Sequence, residues 1–181
     1  SVHDLAKTFD VSAPWLNRVI ERKPRLLLHA VDGVSFEIPR GQTFALVGES
    51  GCGKSTVARL LVGLYNPSRG HVKFEGDDVH ATFASSRGLA LRQRIQMIFQ
   101  DPYASLNPRW TVDAIVGEPL SEHGLVNDKA ERHARVGELL GSVGLSPADG
   151  IRYPHQFSGG QRQRISIARA LATAPEFLVC D

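Results

Sequence analysis

Thr43-Phe-Ala-Leu-Val-Gly-Glu-Ser-Gly-Cys-Gly-Lys-Ser-Thr56 joins an apolar run to a glycine-rich loop, and Val57, Leu60, Leu61 and Leu64 follow it at helical spacing. The stretch from Gly48 to Thr56 fits the pattern G-x-x-x-x-G-K-[ST]. A phosphate chain is heavily solvated in water, so a site that binds it must supply fixed donors. Backbone N–H groups of a glycine loop opening a helix are such donors. Gly48, Gly51 and Gly53 let the backbone curl around the anion, with Glu49, Ser50 and Thr56 completing the loop. Lys54 is placed for the β- and γ-phosphates and the Ser55 hydroxyl for Mg²⁺. Cys52 reads as a small residue filling the loop.

Outward from this loop, residues 34–38 and 43–47 read as strands parted by the turn signal Pro39-Arg-Gly41, and Asn66-Pro67 stops the helix. Residues 71–74 and 94–99 read as further strands, and 177–180 as a short buried strand ahead of Asp181. Strands alternating with helical stretches predict an α/β sheet. Between residues 100 and 157 no strand pattern occurs, and Val136, Leu139, Leu140 and Val143 mark one face of a helix, so this part reads as a helical insert. Residues 12–25 carry Pro14, Trp15, Pro24 and the basic Arg18, Arg22, Lys23 and Arg25, and read as a solvated loop.

With 181 residues, 42% of them hydrophobic, the chain is long enough to bury one core, as a single domain with a subdomain. The 21 basic residues nearly balance 19 acidic ones, so charge gives no reason to expect a nucleic-acid partner or an acidic membrane surface. Cys52 and Cys180 are the only cysteines and lack metal-ligand spacing, which fits a reducing, cytoplasmic setting without disulfides. No apolar run approaches the roughly 18 residues that span a bilayer. Any membrane role is expected to come through a partner.

A second glycine-rich stretch, Phe157-Ser-Gly-Gly-Gln161, opens another helix in which Ile165, Ala168, Ala170 and Leu171 can pack. Arg162, Arg164 and Arg169 are expected to face solvent or partners. Ser158, Gly159 and Gly160 would form a second anion site at a helix N-terminus. The string Gln156-Phe-Ser-Gly-Gly-Gln-Arg-Gln-Arg-Ile-Ser-Ile-Ala-Arg-Ala-Leu171, placed after the phosphate loop, resembles an ABC transporter ATP-binding subunit, and the resemblance runs from Val2 to Asp181.

The resemblance implies a P-loop NTPase of the ABC type: a mainly parallel core sheet, an N-terminal antiparallel β part and a helical subdomain at 101–157 within one domain spanning 1–181. It implies ATP and Mg²⁺ as ligands. Ser158, Gly159, Gly160 and Gln161 would cap the ATP held by the phosphate loop of a second ATP-binding subunit, identical or related. Gln100 would be the glutamine that approaches Mg²⁺ and the attacking water, and Phe9 an aromatic residue stacking on adenine, with core packing as its alternative role. Phe177-Leu-Val-Cys-Asp181 resembles the Walker B strand, whose aspartate holds Mg²⁺ through water. The family's following glutamate and switch histidine lie beyond Asp181, so the chain reads as cut after that strand, and His155 does not take the histidine's place.

Gln100-Asp-Pro-Tyr-Ala-Ser-Leu-Asn-Pro-Arg109, with Ala30-Val-Asp-Gly-Val-Ser-Phe36, resembles the oligopeptide and dipeptide importer branch, which also includes nickel and glutathione importers. That branch implies transmembrane permease subunits as partners, an external substrate-binding protein acting indirectly, and a place on the cytoplasmic face of the bacterial inner membrane. Pro102 and Pro108 would shape the segment into a contact surface for a membrane subunit. The alternatives are a soluble ABC-type ATPase with no transport role, and a nucleotide-binding fragment without turnover.

Overall fold

The computed structural model describes residues 1–12 and 24–181, so the basic loop expected at 12–25 lies mostly outside the described residues. Two compact units divide the chain, Ser1–Ser85 and Ser86–Asp181.

The first unit is built on an antiparallel sheet of β1 (Val2–Asp10), β2 (Leu27–Phe36), β3 (Arg69–Phe74) and β4 (Asp77–Asp78), in the order β2-β1-β3-β4. A strict two-residue alternation would put Val2 and Leu5 on opposite faces, yet both are buried. The register slips between them, where Asp4 takes φ 45° and acts as a bulge that resets the phase. Asp4 is held there by its N–H donating to Ser35 Oγ at 2.8 Å and by its carboxylate 2.9 Å from Arg69 Nε.

Helix α1 (Lys54–Leu61) follows the phosphate loop and buries Val57, Ala58, Leu60 and Leu61. It ends at Leu61, five residues before the Asn66-Pro67 stop expected from sequence. Gly63, at φ 71°, lets its N–H donate to Leu60 O at 3.2 Å while Leu64 N–H donates to Arg59 O at 2.9 Å, the paired bonds that close a helix through a left-handed glycine. Leu64 is thereby carried out of the helix face and is 54% exposed. A short helix, α2 (Val79–Phe83), capped by Asp78 accepting from Ala81 N–H at 2.8 Å, completes the unit.

Two strand expectations are corrected here. The strand predicted at 34–38 runs from Leu27 to Phe36, because its ladder with β1 extends back to Asp10 opposite Leu27. The strand predicted at 43–47 does not form. A strand is held by its ladder, and no backbone hydrogen bond joins these residues to another described segment. Phe44 instead stacks on Phe36, ring centroids 4.7 Å apart, while Val47 is 90% exposed.

The second unit pairs β5 (Ile95–Ile98) with β6 (Phe177–Cys180) in parallel, Ile95 opposite Phe177 and Ile98 opposite Cys180. Arg94 Nε, 2.6 Å from Glu176 Oε1, clips the two strands at their start. Around this pair lie α3 (Gly88–Arg94), α4 (Pro102–Ser105), α5 (Val112–Glu122), α6 (Lys129–Ser142) and α7 (Gly159–Leu171), with two 3₁₀ turns at Pro147–Ile151 and Pro154–Gln156. Thr111 and Asp128 cap α5 and α6 by accepting from Ala114 and Glu131 N–H.

The core of this unit sits where α5, α6 and α7 meet, with Val112, Ile115, Leu140 and Ile165 at its centre. Val136, Leu139 and Leu140 are buried on α6 and Val143 packs against the same cluster, as their spacing predicts. Leu140 is fully enclosed, so Leu140→Ala is expected to remove about 2–5 kcal/mol of stability through lost burial and the cavity left behind. Urea unfolding measures this, and a loss below about 1 kcal/mol would show a core that collapses around the gap.

Candidate active site

In the first unit the phosphate loop is exposed from Gly48 to Cys52 and enters α1 at Gly53. Gly53 has φ 96°, a conformation that L side chains rarely adopt, and a Cβ there would overlap the carbonyl oxygen of Ala30 on β2. The loop is thus pressed against the sheet at its last residue and open elsewhere. Cys52 N–H donates to Glu49 O at 3.3 Å, closing a turn within the loop, and a Cβ on Gly48 would lie 2.8 Å from Cys52 Sγ. Cys52 Sγ thus lies against Gly48 while remaining exposed.

Lys54 folds back over the loop. Its Nζ donates to Gly48 O at 2.8 Å and Glu49 O at 2.6 Å and lies 3.7 Å from Cys52 Sγ. A cation is thereby held over a turn of exposed N–H groups at a helix start that carries no acidic residue in its first turn. Ser55 and Thr56 are half-buried in that first turn. The arrangement favours an anion.

Gly53→Ala is expected to cost more than Gly51→Ala. Both glycines have positive φ, worth about 1–3 kcal/mol when a side chain is forced there. Only Gly53 adds the collision with Ala30, since a Cβ on Gly51 meets nothing within 4 Å. Thermal unfolding of the two variants checks the order, and equal losses would contradict the packing of the loop on β2.

Phe9 lies near the end of β1, half-buried, with its ring 5.4 Å from that of Tyr65 in an edge-to-face contact and Lys7 Nζ 5.1 Å from its centroid. Tyr65 follows the far end of α1 from the phosphate loop. The ring thus has packing partners within its own unit.

In the second unit the parallel pairing brings Gln100 and Asp181 to one end of the strands, Gln100 two residues after Ile98 and Asp181 directly after Cys180. Asp181 N–H donates to Ile98 O at 3.0 Å and continues the ladder. Ligands of α/β sheets gather at this carboxyl end. A carboxylate at such a strand end suits a hard cation that keeps water ligands.

Ser158 caps α7. Its Oγ accepts from Gln161 N–H at 3.3 Å, and Gln161 Oε1 accepts from Ser158 N–H at 2.9 Å, a reciprocal box. A Cβ on Gly159 or Gly160 would meet nothing within 4 Å, so the first turn of this 13-residue helix presents its backbone to open space. Cys180 and Cys52 are both free and exposed, and His155 stacks on Tyr153 at 5.8 Å near the surface.

The expectation that Arg162 faces solvent is corrected. It is 8% exposed, with Nη2 donating to the Tyr103 hydroxyl and Nη1 to Pro154 O at 3.4 Å. Arg169 is half-buried and donates to Ser105 O at 2.7 Å. Burial pushes its guanidinium below its ordinary pKa, and Glu118 opposes that shift. The signal was present in the spacing: Arg162 and Arg169 stand three before and four after Ile165, on its buried face. Only Arg164 is exposed, and it still donates to Gly144 O at 3.3 Å.

No helix among the described residues is long and apolar enough to cross a membrane. Residues 31–181 match the sequence model of a family described as ABC transporter. The oligopeptide transport ATP-binding proteins OppF and AppF of Bacillus subtilis (strain 168) are 54% and 51% identical over 158 and 180 residues, which are 87% and 99% of this chain. Those matches cover 52% and 53% of the two relatives, so the chain spans about half the length of the curated proteins it matches. Its backbone superposes with a TM-score of 0.83 on a dimeric, post-hydrolysis structure of the ATP-binding cassette MJ0796 bound to ADP and Pi, at 27% identity, over 99% of this chain and 72% of that one. The fold is that of an ATP-binding cassette, and the chain belongs to the ABC transporter family.

Proposed function

We propose that this chain is the ATP-binding part of a peptide importer, coupling ATP binding and hydrolysis to uptake of short peptides through membrane permease subunits. One observation carries the reading: the chain presents two helix starts to anions, a lysine-bearing glycine loop at Gly48–Lys54 and an open, serine-capped turn at Ser158–Gln161. The identities to OppF and AppF support peptides as cargo.

In this reading the loop N–H groups of residues 48–56 and the Lys54 ammonium bind the phosphates, and the carbonyls of Gly48 and Glu49 hold that ammonium over the loop. Ser55, Gln100 and Asp181 are the residues that would hold Mg²⁺, which would supply positive charge to offset that of the phosphates. Gln100 orients the attacking water. Phe9 stacks on adenine, exchanging part of its present packing for the base. Ser158, Gly159, Gly160 and Gln161 cap the nucleotide of a second ATP-binding subunit, so two composite sites form head to tail. The residues contribute mainly position and electrostatic stabilisation. The 101–157 helices act as a subdomain of one domain spanning 1–181, on the cytoplasmic face of the inner membrane, with an external binding protein delivering the peptide.

The test is co-purification of the whole protein, in detergent, from cells that also express its membrane subunits. A complex containing integral membrane subunits is the expected result. Recovery of the ATPase with ribosomes or nucleic acid and without membrane subunits would replace the transport reading with a non-transport one.

A further inference from the structure

We infer that Tyr103 is a positioning residue which, with Arg162, ties the segment after Gln100 to the helix capped by Ser158, so that a displacement at one is felt at the other. The inference rests on the proposed roles of Gln100 and Ser158 and adds the part that joins them.

Helix α4 is four residues long, one turn. A single turn does not hold itself in water, because nucleating it fixes several residues for one hydrogen bond. Two arginines of α7 hold it instead. Arg162 places its guanidinium 3.6 Å from the centroid of the Tyr103 ring and donates to the hydroxyl of the same residue. Seven residues on, two helical turns along the same face, Arg169 donates to Ser105 O at 2.7 Å. Both tethers leave one helix and land on one turn.

The Arg162 contact is charged with consequence because of what surrounds it. The side chain is buried, its Nε has no hydrogen-bond partner, and among the described residues no carboxylate pairs with it. A buried guanidinium without a counter-ion is costly. The ring face and hydroxyl of Tyr103 are therefore a principal source of its stabilisation. Tyr103 itself is 64% exposed and adds little to the core. Its position answers to the guanidinium, which separates this contact from ordinary packing.

The two ends of the tether lie close to the two proposed ATP-contacting segments. Tyr103 stands three residues after Gln100, and Arg162 stands four residues, about one helical turn, after Ser158. Movement of the Gln100 loop would drag Tyr103 off the guanidinium or carry α7 with it. Losing the contact leaves the buried cation with only the long bond to Pro154 O at 3.4 Å, so carrying α7 is the favoured response.

The test uses the whole protein reconstituted with its membrane subunits. Tyr103→Ala is expected to lower peptide-coupled ATP turnover about tenfold while ATP affinity of the isolated subunit stays within about twofold. Tyr103→Phe keeps the ring over the guanidinium and is expected to lose no more than about threefold. Arg162→Gln should lose as much as Tyr103→Ala, and the double variant no more than the worse single one, the non-additivity of two groups acting as a unit.

Coupled turnover at the wild-type level in Tyr103→Ala, fully additive losses, or an equal fall in ATP affinity would overturn the tether. If Arg162→Gln fails to fold, the Ala and Phe variants of the exposed Tyr103 decide the matter alone. A wild-type complex with no peptide-coupled turnover would instead overturn the proposed function, and the role of the tether with it.

Discussion

Lys54→Ala is expected to reduce ATP turnover about a hundred- to a thousandfold, the loss seen when one preorganised charge-stabilising donor is removed from a reacting centre. The reason lies in how the residue is held. Its ammonium is held over the loop by the carbonyls of Gly48 and Glu49, at 2.8 and 2.6 Å. Little reorganisation is then needed when negative charge shifts during phosphoryl transfer. The same geometry predicts a small effect on folding, because the partners are exposed loop carbonyls that water can serve; a stability change within about 1 kcal/mol is expected. Steady-state hydrolysis by the reconstituted complex, alongside thermal unfolding, separates the two. Retained wild-type turnover would remove Lys54 from the phosphate site.

Ser158→Arg is expected to abolish ATP-driven association of two ATP-binding subunits while leaving ATP binding to each subunit intact. The serine does two things, and they can be parted. As a cap it satisfies Gln161 N–H, and losing that costs about 0.5–2 kcal/mol, which Ser158→Ala measures by itself. As part of an open helix start it presents Gly159 and Gly160 to a ligand from outside, and a long guanidinium side chain at that position would fill the approach. Light scattering with ATP is the readout. The alanine variant should still associate, and the arginine variant should remain a monomer up to saturating ATP. Association of the arginine variant with unchanged strength would count against a shared site.

How much of this was visible in the residues depends on which force sets each feature. The loop from Gly48 to Thr56 was visible because its chemistry needs glycine, lysine and hydroxyl at fixed spacing, and α6 because a 3.6-residue period selects Val136, Leu139 and Leu140 for burial. Residues 43–47 show the opposite case. Their apolar, β-prone character predicts a strand, but a strand exists only through its partners, and composition carries no information about which ladder is available. The bulge at Asp4 was likewise invisible, since a positive φ at a non-glycine residue is fixed by Ser35 and Arg69 from distant parts of the sequence.

Arg162 was misplaced for a different reason, although its spacing from Ile165 already put it on the buried face. Arginine is assumed to seek solvent, and the presence of an aromatic ring and a carbonyl to receive it is a tertiary fact. The candidate site divides along the same line. The phosphate loop and the capped turn at Ser158 could be read from local motifs, and both are geometrically suited to anions. The placing of Gln100 and Asp181 toward the same end of the strands depended on the parallel register of β5 and β6, which no local pattern encodes.

ATP-driven peptide import is tested by uptake of a labelled short peptide into vesicles that carry the whole protein, its membrane subunits and the binding protein, with ATP supplied on the cassette side. Accumulation that requires hydrolysable ATP and disappears with Lys54→Ala is the expected result. Peptide uptake that proceeds equally without ATP, or ATP hydrolysis that never responds to peptide and binding protein, would contradict it.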